Sequence, residues 1–319
     1  MLRNAKRFIY VTVGGHCKET QRLHNKTKNM SVANWFETFN QNLRMSTDTV
    51  DNISYRCKRI TKQLNKDFYN SESDIYHSLY VGSYGRGTDI VVSDIDMIFQ
   101  LPYSEYVKYN AYSWNGQSSL LQAVKTSIEK TYKSSMKADG QVIVISFTDG
   151  IVFELVPAFI NDDNSYTFPD SNNGGSWKKT NPRPEIAEIS AKNILWNKNL
   201  KRLCRMARAW KYKWDVPMGG LLIDTLAYNF MANCEYKDKS FLYYDFISRD
   251  FFKYLSEQNA EQSYWLSPGA KQYVWRKGKF EYKAKQCYNL SLEAIAKEKD
   301  YPITAKSKWR EIYGTKFPA

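Results

Sequence analysis

Gly82-Ser83-Tyr84-Gly85-Arg86-Gly87-Thr88, with Asp94-Ile95-Asp96 six residues beyond Thr88, is the stretch that decides the fold. It joins a glycine-bearing turn to two carboxylates at i and i+2. Side chains two apart on a strand share a face, so Asp94 and Asp96 are expected to project together. Ile95, Met97, Phe99 and Leu101 then fill the opposite face, as suits a strand packed on a core. Two ionised carboxylates side by side repel unless a cation sits between them. A pair of divalent metals roughly 3.5–4 Å apart is one such partner and supports in-line phosphoryl transfer. A small glycine-rich turn upstream lets backbone N–H groups approach a triphosphate. Most Asp-x-Asp pairs are solvated acids and most Gly-Ser turns are only turns. It is the joint spacing, with an apolar strand directly after, that is specific.

This spacing resembles the signature of the DNA polymerase β-like nucleotidyltransferases: Gly-Ser, a spacer, then Asp-x-Asp on a strand. The resemblance implies a third carboxylate on a neighbouring strand. Gln141–Phe147 has the character of a buried strand, Asp149-Gly150 is a hairpin turn, and Ile151–Pro157 is the return strand. Glu154 is the one charge in that return strand. Buried alone it would be costly or protonated, so it pairs either with a nearby Lys or Arg or with metal. With Asp94 and Asp96 in place, metal ligation is the better reading. Many relatives have Asp here, and Glu154 is one methylene longer.

Further blocks narrow the resemblance to the bacterial cyclic-oligonucleotide synthases, the CD-NTase (cGAS/DncV-like) family. They are Gly82–Gln100, Phe153–Phe159, Trp177-Lys178-Lys179-Thr180-Asn181-Pro182, the helical segment Asn193–Trp214, and the tail Trp309–Gly314. The likeness runs from about Val32 to Pro318. It implies an α+β fold: a nucleotidyltransferase core with a mixed sheet flanked by helices, a long N-terminal spine helix and a C-terminal helical lobe. It further implies catalysis and binding of two Mg²⁺ (or Mn²⁺) ions by Asp94, Asp96 and Glu154. NTP substrates (ATP, GTP or pyrimidine NTPs) would be held by Gly82, Ser83, Arg208, then Arg205, with Asn181 and Lys178 near base or phosphate. The product would be a cyclic nucleotide acting on a downstream effector in anti-phage defence. Asp89 departs from the family, which has a small apolar residue after Thr88. An acid there would pair with Arg86 or alter metal affinity.

Each of these residues also has a plainer reading. Lys198, Lys201, Arg202, Arg205 and Arg208 form a basic stripe beside the apolar stripe Trp196, Leu200, Leu203, Ala207, Trp210 and Trp214. Such a stripe is usually a solvated helix face. Arg nevertheless offers phosphate a bidentate fork. Asn181-Pro182 is equally a helix-entry turn, and Gly219-Gly220 either a close approach to ligand or the start of the helix Leu221–Phe230. Among 24 tyrosines, the sequence does not choose one that stacks on a base.

Composition excludes other classes. The chain has 319 residues, 43% of them hydrophobic, enough for a sizeable core in one bilobal unit or two packed lobes. No apolar run approaches the roughly 20 residues of a membrane span. The five cysteines are scattered without a Cys-x-x-Cys pair, which argues against a disulfide framework or structural zinc and fits a bacterial cytoplasm. Of three histidines only His77 lies in the body, which disfavours a Ser-His-Asp hydrolase or a His-ligated zinc enzyme.

Residues 1–29 carry seven Lys/Arg against one Glu. The apolar run Phe8–Val13 is short for a signal peptide and is followed by a poor cleavage site. The expectation is a poorly ordered basic extension, an upstream-start artefact, or an arm for nucleic acid. The catalytic lobe with its spine helix is expected over residues 30–180 and the helical lobe over 181–319. Within these, residues 32–69 have helical spacing with a break near Ser46–Thr49, Ser78–Val81 and Ser93–Leu101 are strands, Gln117–Tyr132 is a helix, and Asn161–Asn181 is a loop.

The net charge of +13 suits an enzyme whose cleft receives NTPs, and equally a structured RNA activator on the basic surface. Two other readings remain open on the residues: a template-independent RNA nucleotidyltransferase, and an RNA-binding sensor with little catalysis.

Overall fold

The computed structural model describes residues 32–90 and 94–319. The basic extension expected over 1–29 lies outside the described residues.

Two helices open the described chain. Helix α1 spans 32–42, and α2 spans Thr47–Tyr69. Between them Ser46 caps α2, its hydroxyl accepting from the Thr49 amide. This satisfies one of the amides a helix start leaves unpaired, so the break falls where the Ser/Thr/Asp cluster lies.

The two helices serve different cores. Ile53, Ile60 and Leu64 of α2 pack with Ile95, Met97, Phe99, Phe153 and Leu155 of the sheet. Trp35, Phe36 and Phe39 of α1 instead join the core of the C-terminal helices. There Phe36 lies edge-on to Trp309 and Phe317, and Phe39 packs against Tyr313. The spine thus bridges both lobes. The catalytic lobe expected over 30–180 therefore includes a helix, α1, that packs with the C-terminal helices.

The sheet is built from β1 (Ser78–Tyr80), β2 (Asp94–Gln100), β3 (Ser135–Asp139), β4 (Val142–Ser146) and β5 (Val152–Ile160) in the order β1-β2-β5-β4-β3. Only β2 and β5 run parallel; their neighbours are antiparallel, so the sheet is mixed. A five-residue helix, α3 (Gly82–Arg86), links β1 to β2. Helices α4 (Tyr103–Asn110) and α5 (Gly116–Glu129) follow β2, and Leu120, Leu121, Val124 and Ile128 of α5 complete the sheet's core.

Asn161–Asn181 is not a loop. It contains a hairpin of β6 (Tyr166–Asp170) and β7 (Ser176–Thr180), with β6 paired to the end of β5. Tyr166 packs under the sheet with Ile98 and Ala158, while the residues of β7 are exposed or half-buried. A single buried aromatic, Tyr166 of β6, is too faint a period-2 signal to outweigh the Asn, Asp and Gly around it.

The helical lobe comprises α6 (Pro182–Leu195), α7 (Asn199–Trp214), α8 (Gly220–Asn233), α9 (Tyr244–Ser256), α10 (Glu281–Lys297) and α11 (Pro302–Tyr313), with a hairpin of β8 (Tyr264–Leu266) and β9 (Tyr273–Trp275). The segment expected as one helix from Asn193 breaks at Asn197 and Lys198, which both take positive φ. Among the described residues, no helix is long and apolar enough to cross a membrane.

Candidate active site

Asp96 and Glu154 are register partners across the parallel pair β2–β5, with Asp94 two residues earlier on the same face. Below them on that face lie Ile98, Val156 and Ala158, while Ile95, Met97, Phe99, Phe153 and Leu155 are buried on the other. The alternation of each strand thus lifts three carboxylates onto one rim, Asp94 exposed and the other two half-buried. Burial pushes the Asp96 carboxyl up, with Asp94 adding to the rise and Arg86 opposing it. Burial also raises Glu154, reinforced by Asp96 and Asp94. The rim is therefore a concentration of negative charge that favours a cation.

The donor set is all oxygen, which suits a hard divalent ion. Among the described residues no three acidic, His or Cys side chains enclose an ion by themselves. Mg²⁺ is usually held by one or two carboxylates completed by substrate phosphates. The rim fits such ions.

Gly82 begins α3 at φ +59°, and a Cβ there would stand 1.8 Å from Asp96 Oδ2. Only glycine lets the turn lie against the acid. Gly85 is equally constrained, since a Cβ would stand 2.3 Å from the Tyr80 carbonyl oxygen. The turn closes with the Thr88 amide donating to the Ser83 carbonyl. Ser83 is half-exposed beside the rim.

The basic residues expected at phosphate are placed differently. Arg208 is 5% exposed. Its guanidinium donates to both Asp224 carboxylate oxygens and to the Cys204 and Gly220 carbonyls. In this structure the fork is enclosed and engaged by protein groups. Arg205 donates to the carbonyls of Gly87 and Asp89, clamping the loop after the turn. Asp89 lies by Arg205, not Arg86 as one reading had it. Lys178 of β7 pairs with Asp170. Asn181 precedes α6 without a side-chain cap bond, and its Oδ1 is enclosed without a hydrogen-bond partner among the described residues. His77 donates from Nδ1 to Asn65 Oδ1 and stacks on Tyr69, a structural placement.

Two groups escaped sequence reasoning. Asp224 is the only charge in the apolar helix α8 and is fully buried. The argument that singled out Glu154, a lone charge in an apolar run, applies to it equally. The other group is Lys211 and Lys277. A Cβ at Gly219 would stand 3.5 Å from Lys277 Cε. Burial, then the charges of Lys277 and Arg208, pull the Lys211 ammonium down. These two lysines thus converge near the start of α8, the helix whose Asp224 meets Arg86 and Thr88 of the turn.

Comparisons with known proteins agree with this architecture. A probable cyclic nucleotide synthase of Bacillus cereus is 29% identical over 87 residues, which cover 26% of this chain and 26% of that protein. The chain therefore matches about a quarter of that relative's length. Solved structures match far more of the fold. E. coli CdnC in its HORMA complex aligns with a TM-score of 0.66 at 14% identity, over 90% of this chain and 98% of that one. Vibrio cholerae DncV cyclic AMP-GMP synthase, in complex with a linear intermediate, aligns with a TM-score of 0.59 at 14% identity, over 96% and 92%. At such identities the likeness is one of fold. The model of the Second Messenger Oligonucleotide or Dinucleotide Synthetase domain matches residues 30–193, more than half of the chain, from α1 through the carboxylate rim into α6. The chain belongs to this family of second-messenger nucleotidyltransferases.

Proposed function

We propose that this chain joins NTPs into a cyclic di- or oligonucleotide by metal-dependent nucleotidyl transfer. The observation that supports the reading most is the convergence of Asp94, Asp96 and Glu154 on one rim, with Gly82 pressed against Asp96. Two Mg²⁺ (or Mn²⁺) ions held by these carboxylates would neutralise phosphate charge and acidify the attacking hydroxyl.

The chain's own residues do the rest. One NTP lays its triphosphate along the Gly82-Ser83 turn. Lys211 and Lys277, rather than Arg208, supply cationic charge from the helical lobe. Glu154 accepts the proton of the second nucleotide's hydroxyl, and its raised basicity suits that role. The hydroxyl oxygen bonds to the α-phosphorus, the bridge to the β-phosphate breaks, and pyrophosphate leaves with the electron pair. A second transfer closes the ring in the same cleft. Catalysis is mostly positioning and charge neutralisation. Asn181 and Lys178 are kept as base or phosphate contacts, Lys178 after release from Asp170.

The product would signal to an effector in anti-phage defence, and the net charge of +13 supports a structured RNA activator on the surface. The test is purified protein with four labelled NTPs and Mg²⁺ or Mn²⁺, with and without structured RNA, followed by phosphatase and mass spectrometry. A phosphatase-resistant cyclic product is expected. Only linear product or extended RNA would replace this reading with template-independent polymerisation. Activity in nuclease-treated protein that RNA does not raise would remove the activator.

A further inference from the structure

Asp224 sits at 0% exposure on α8 and accepts four hydrogen bonds. Arg86 Nε donates to its Oδ2 at 2.9 Å and Thr88 Oγ1 at 2.8 Å, both from the turn beside the carboxylate rim. Arg208 of α7 donates to Oδ1 at 2.5 Å and to Oδ2 at 2.9 Å. Glu185 of α6 lies 3.6 Å from Arg86 Nη1, so two buried arginines are balanced by two buried acids. Buried charge of this kind is tolerated only when it is paired and hydrogen-bonded, and it then fixes geometry.

The cluster joins three helices of one lobe to a single short turn of the other. The opposite side of that turn is Gly82, against Asp96. Thr88 connects the two sides: its hydroxyl reaches Asp224 while its amide donates to the Ser83 carbonyl at 2.9 Å. Lys211 and Lys277, the cations assigned to the triphosphate above, belong to the lobe that carries Asp224. A bound triphosphate must therefore span a junction whose register this one carboxylate sets.

We propose that Asp224 is a positioning residue for nucleotidyl transfer, holding the Gly82–Thr88 turn in register with α8 so that both lobes grip one NTP. This deepens the transfer reading above and rests on it. Arg208 acts through the same carboxylate, which explains a buried arginine where a phosphate contact was expected.

Asp224→Asn strips the counter-charge from two arginines and risks the fold, so the decisive variant is Thr88→Val. It keeps shape and charge and removes one donor. The experiment uses the full chain and measures pyrophosphate release against NTP concentration, the Kd of a non-hydrolysable NTP analogue, and the thermal melt. A merely structural defect lowers the active fraction and leaves KM and Kd unmoved. Thr88→Val is expected to raise both roughly 10- to 100-fold, the worth of one hydrogen bond to a buried charge. Thr88→Ser, which keeps the hydroxyl, is expected to restore them. Unchanged KM and Kd in Thr88→Val, or no rescue by serine, overturns the proposal while leaving the transfer reading intact. Wild-type protein that neither binds the analogue nor releases pyrophosphate overturns the transfer reading, and this inference with it.

Discussion

Gly82 and Asp96 touch: a methyl group on Gly82 would overlap the Asp96 carboxylate, standing 1.8 Å from Oδ2. Gly82 also has φ +59°, so two independent constraints fall on one residue. The positive φ alone costs an L-residue about 1–2 kcal/mol. Relieving the overlap must move either the turn or the acid by about an ångström, and a shift of that size costs on the order of 100-fold in rate. Gly82→Ala is therefore expected to lower product formation by about that factor with only a modest loss of Tm. Near wild-type turnover would show that the turn's approach to Asp96 is unrelated to the chemistry.

The carboxylate rim makes the opposite trade. Burial and mutual repulsion raise the Asp96 and Glu154 carboxyls. Between its unfolded pKa and a raised folded one, such a group binds more protons folded than unfolded. Its contribution to stability is thus most favourable at low pH and declines as pH rises through the folded pKa. At neutral pH Asp96 and Glu154, without cations, therefore weaken the fold. Asp94→Asn with Asp96→Asn should abolish nucleotide product, and Asp96→Asn alone should leave the metal-free Tm at pH 7 equal to or above wild type. A lower Tm would mean Asp96 stabilises the fold, and retained activity in the double variant would sink the metal reading.

What was legible in the sequence follows from the range of each interaction. The rim and turn were readable because their signals are local: a strand alternation, a glycine spacing, and one charge in an apolar hairpin. Helix α1 was readable as a helix from Trp35, Phe36 and Phe39, but periodicity does not say which core an apolar face will join, and it joins the helical one. The basic stripe of α7 was visible, but the pairing of Arg208 with Asp224 was not, because Asp224 lies on the next helix. A cation's role depends on the anion that the fold brings to it, and that pairing is set by tertiary contact. The β6–β7 hairpin was hidden because Lys178 and Asp170, which pair across it, resemble loop residues in isolation.

Lys211 and Lys277 separate binding from folding. Burial and the neighbouring Lys277 and Arg208 charges hold the Lys211 ammonium below its ordinary value. An anionic ligand between the two lysines would relieve that repulsion. Lys211→Ala and Lys277→Ala should each raise KM for NTP by roughly 5- to 50-fold, as for loss of a charge-assisted contact. Tm should hold or rise slightly. The KM effect should shrink at high salt, because screening weakens the wild-type attraction. Unaltered KM in the double variant would place the triphosphate elsewhere.

Asn181 offers a cleaner separation. Its enclosed Oδ1 has no hydrogen-bond partner among the described residues, and it makes no cap bond to α6. An unsatisfied buried acceptor costs about 1–3 kcal/mol, so Asn181→Ala should not destabilise the protein. If Asn181 instead meets the nucleotide, the same variant weakens analogue binding by roughly 5- to 10-fold, as for one neutral hydrogen bond. A lowered Tm with unchanged Kd would reverse the assignment and make Asn181 a structural residue.

The buried quartet predicts the protein's response to acid. Burial alone would raise the Asp224 carboxyl, but Arg208 and Arg86 overcome it and hold the group at about 2, against 3.8 unfolded. Between those values the unfolded chain binds more protons than the folded one. The stabilisation is therefore complete above about pH 3.8 and is lost as pH falls through about 2. Removing one partner of such a pair leaves charge buried and uncompensated, at a cost of about 3–5 kcal/mol. Asp224→Asn should thus melt well below wild type at pH 7, and the gap should narrow as pH falls from about 4 toward 2. Melting curves of both proteins across that range, without nucleotide, check this directly. A gap that stays constant down to pH 2 would mean that packing of the side chain, not its charge, is what α8 requires at this position.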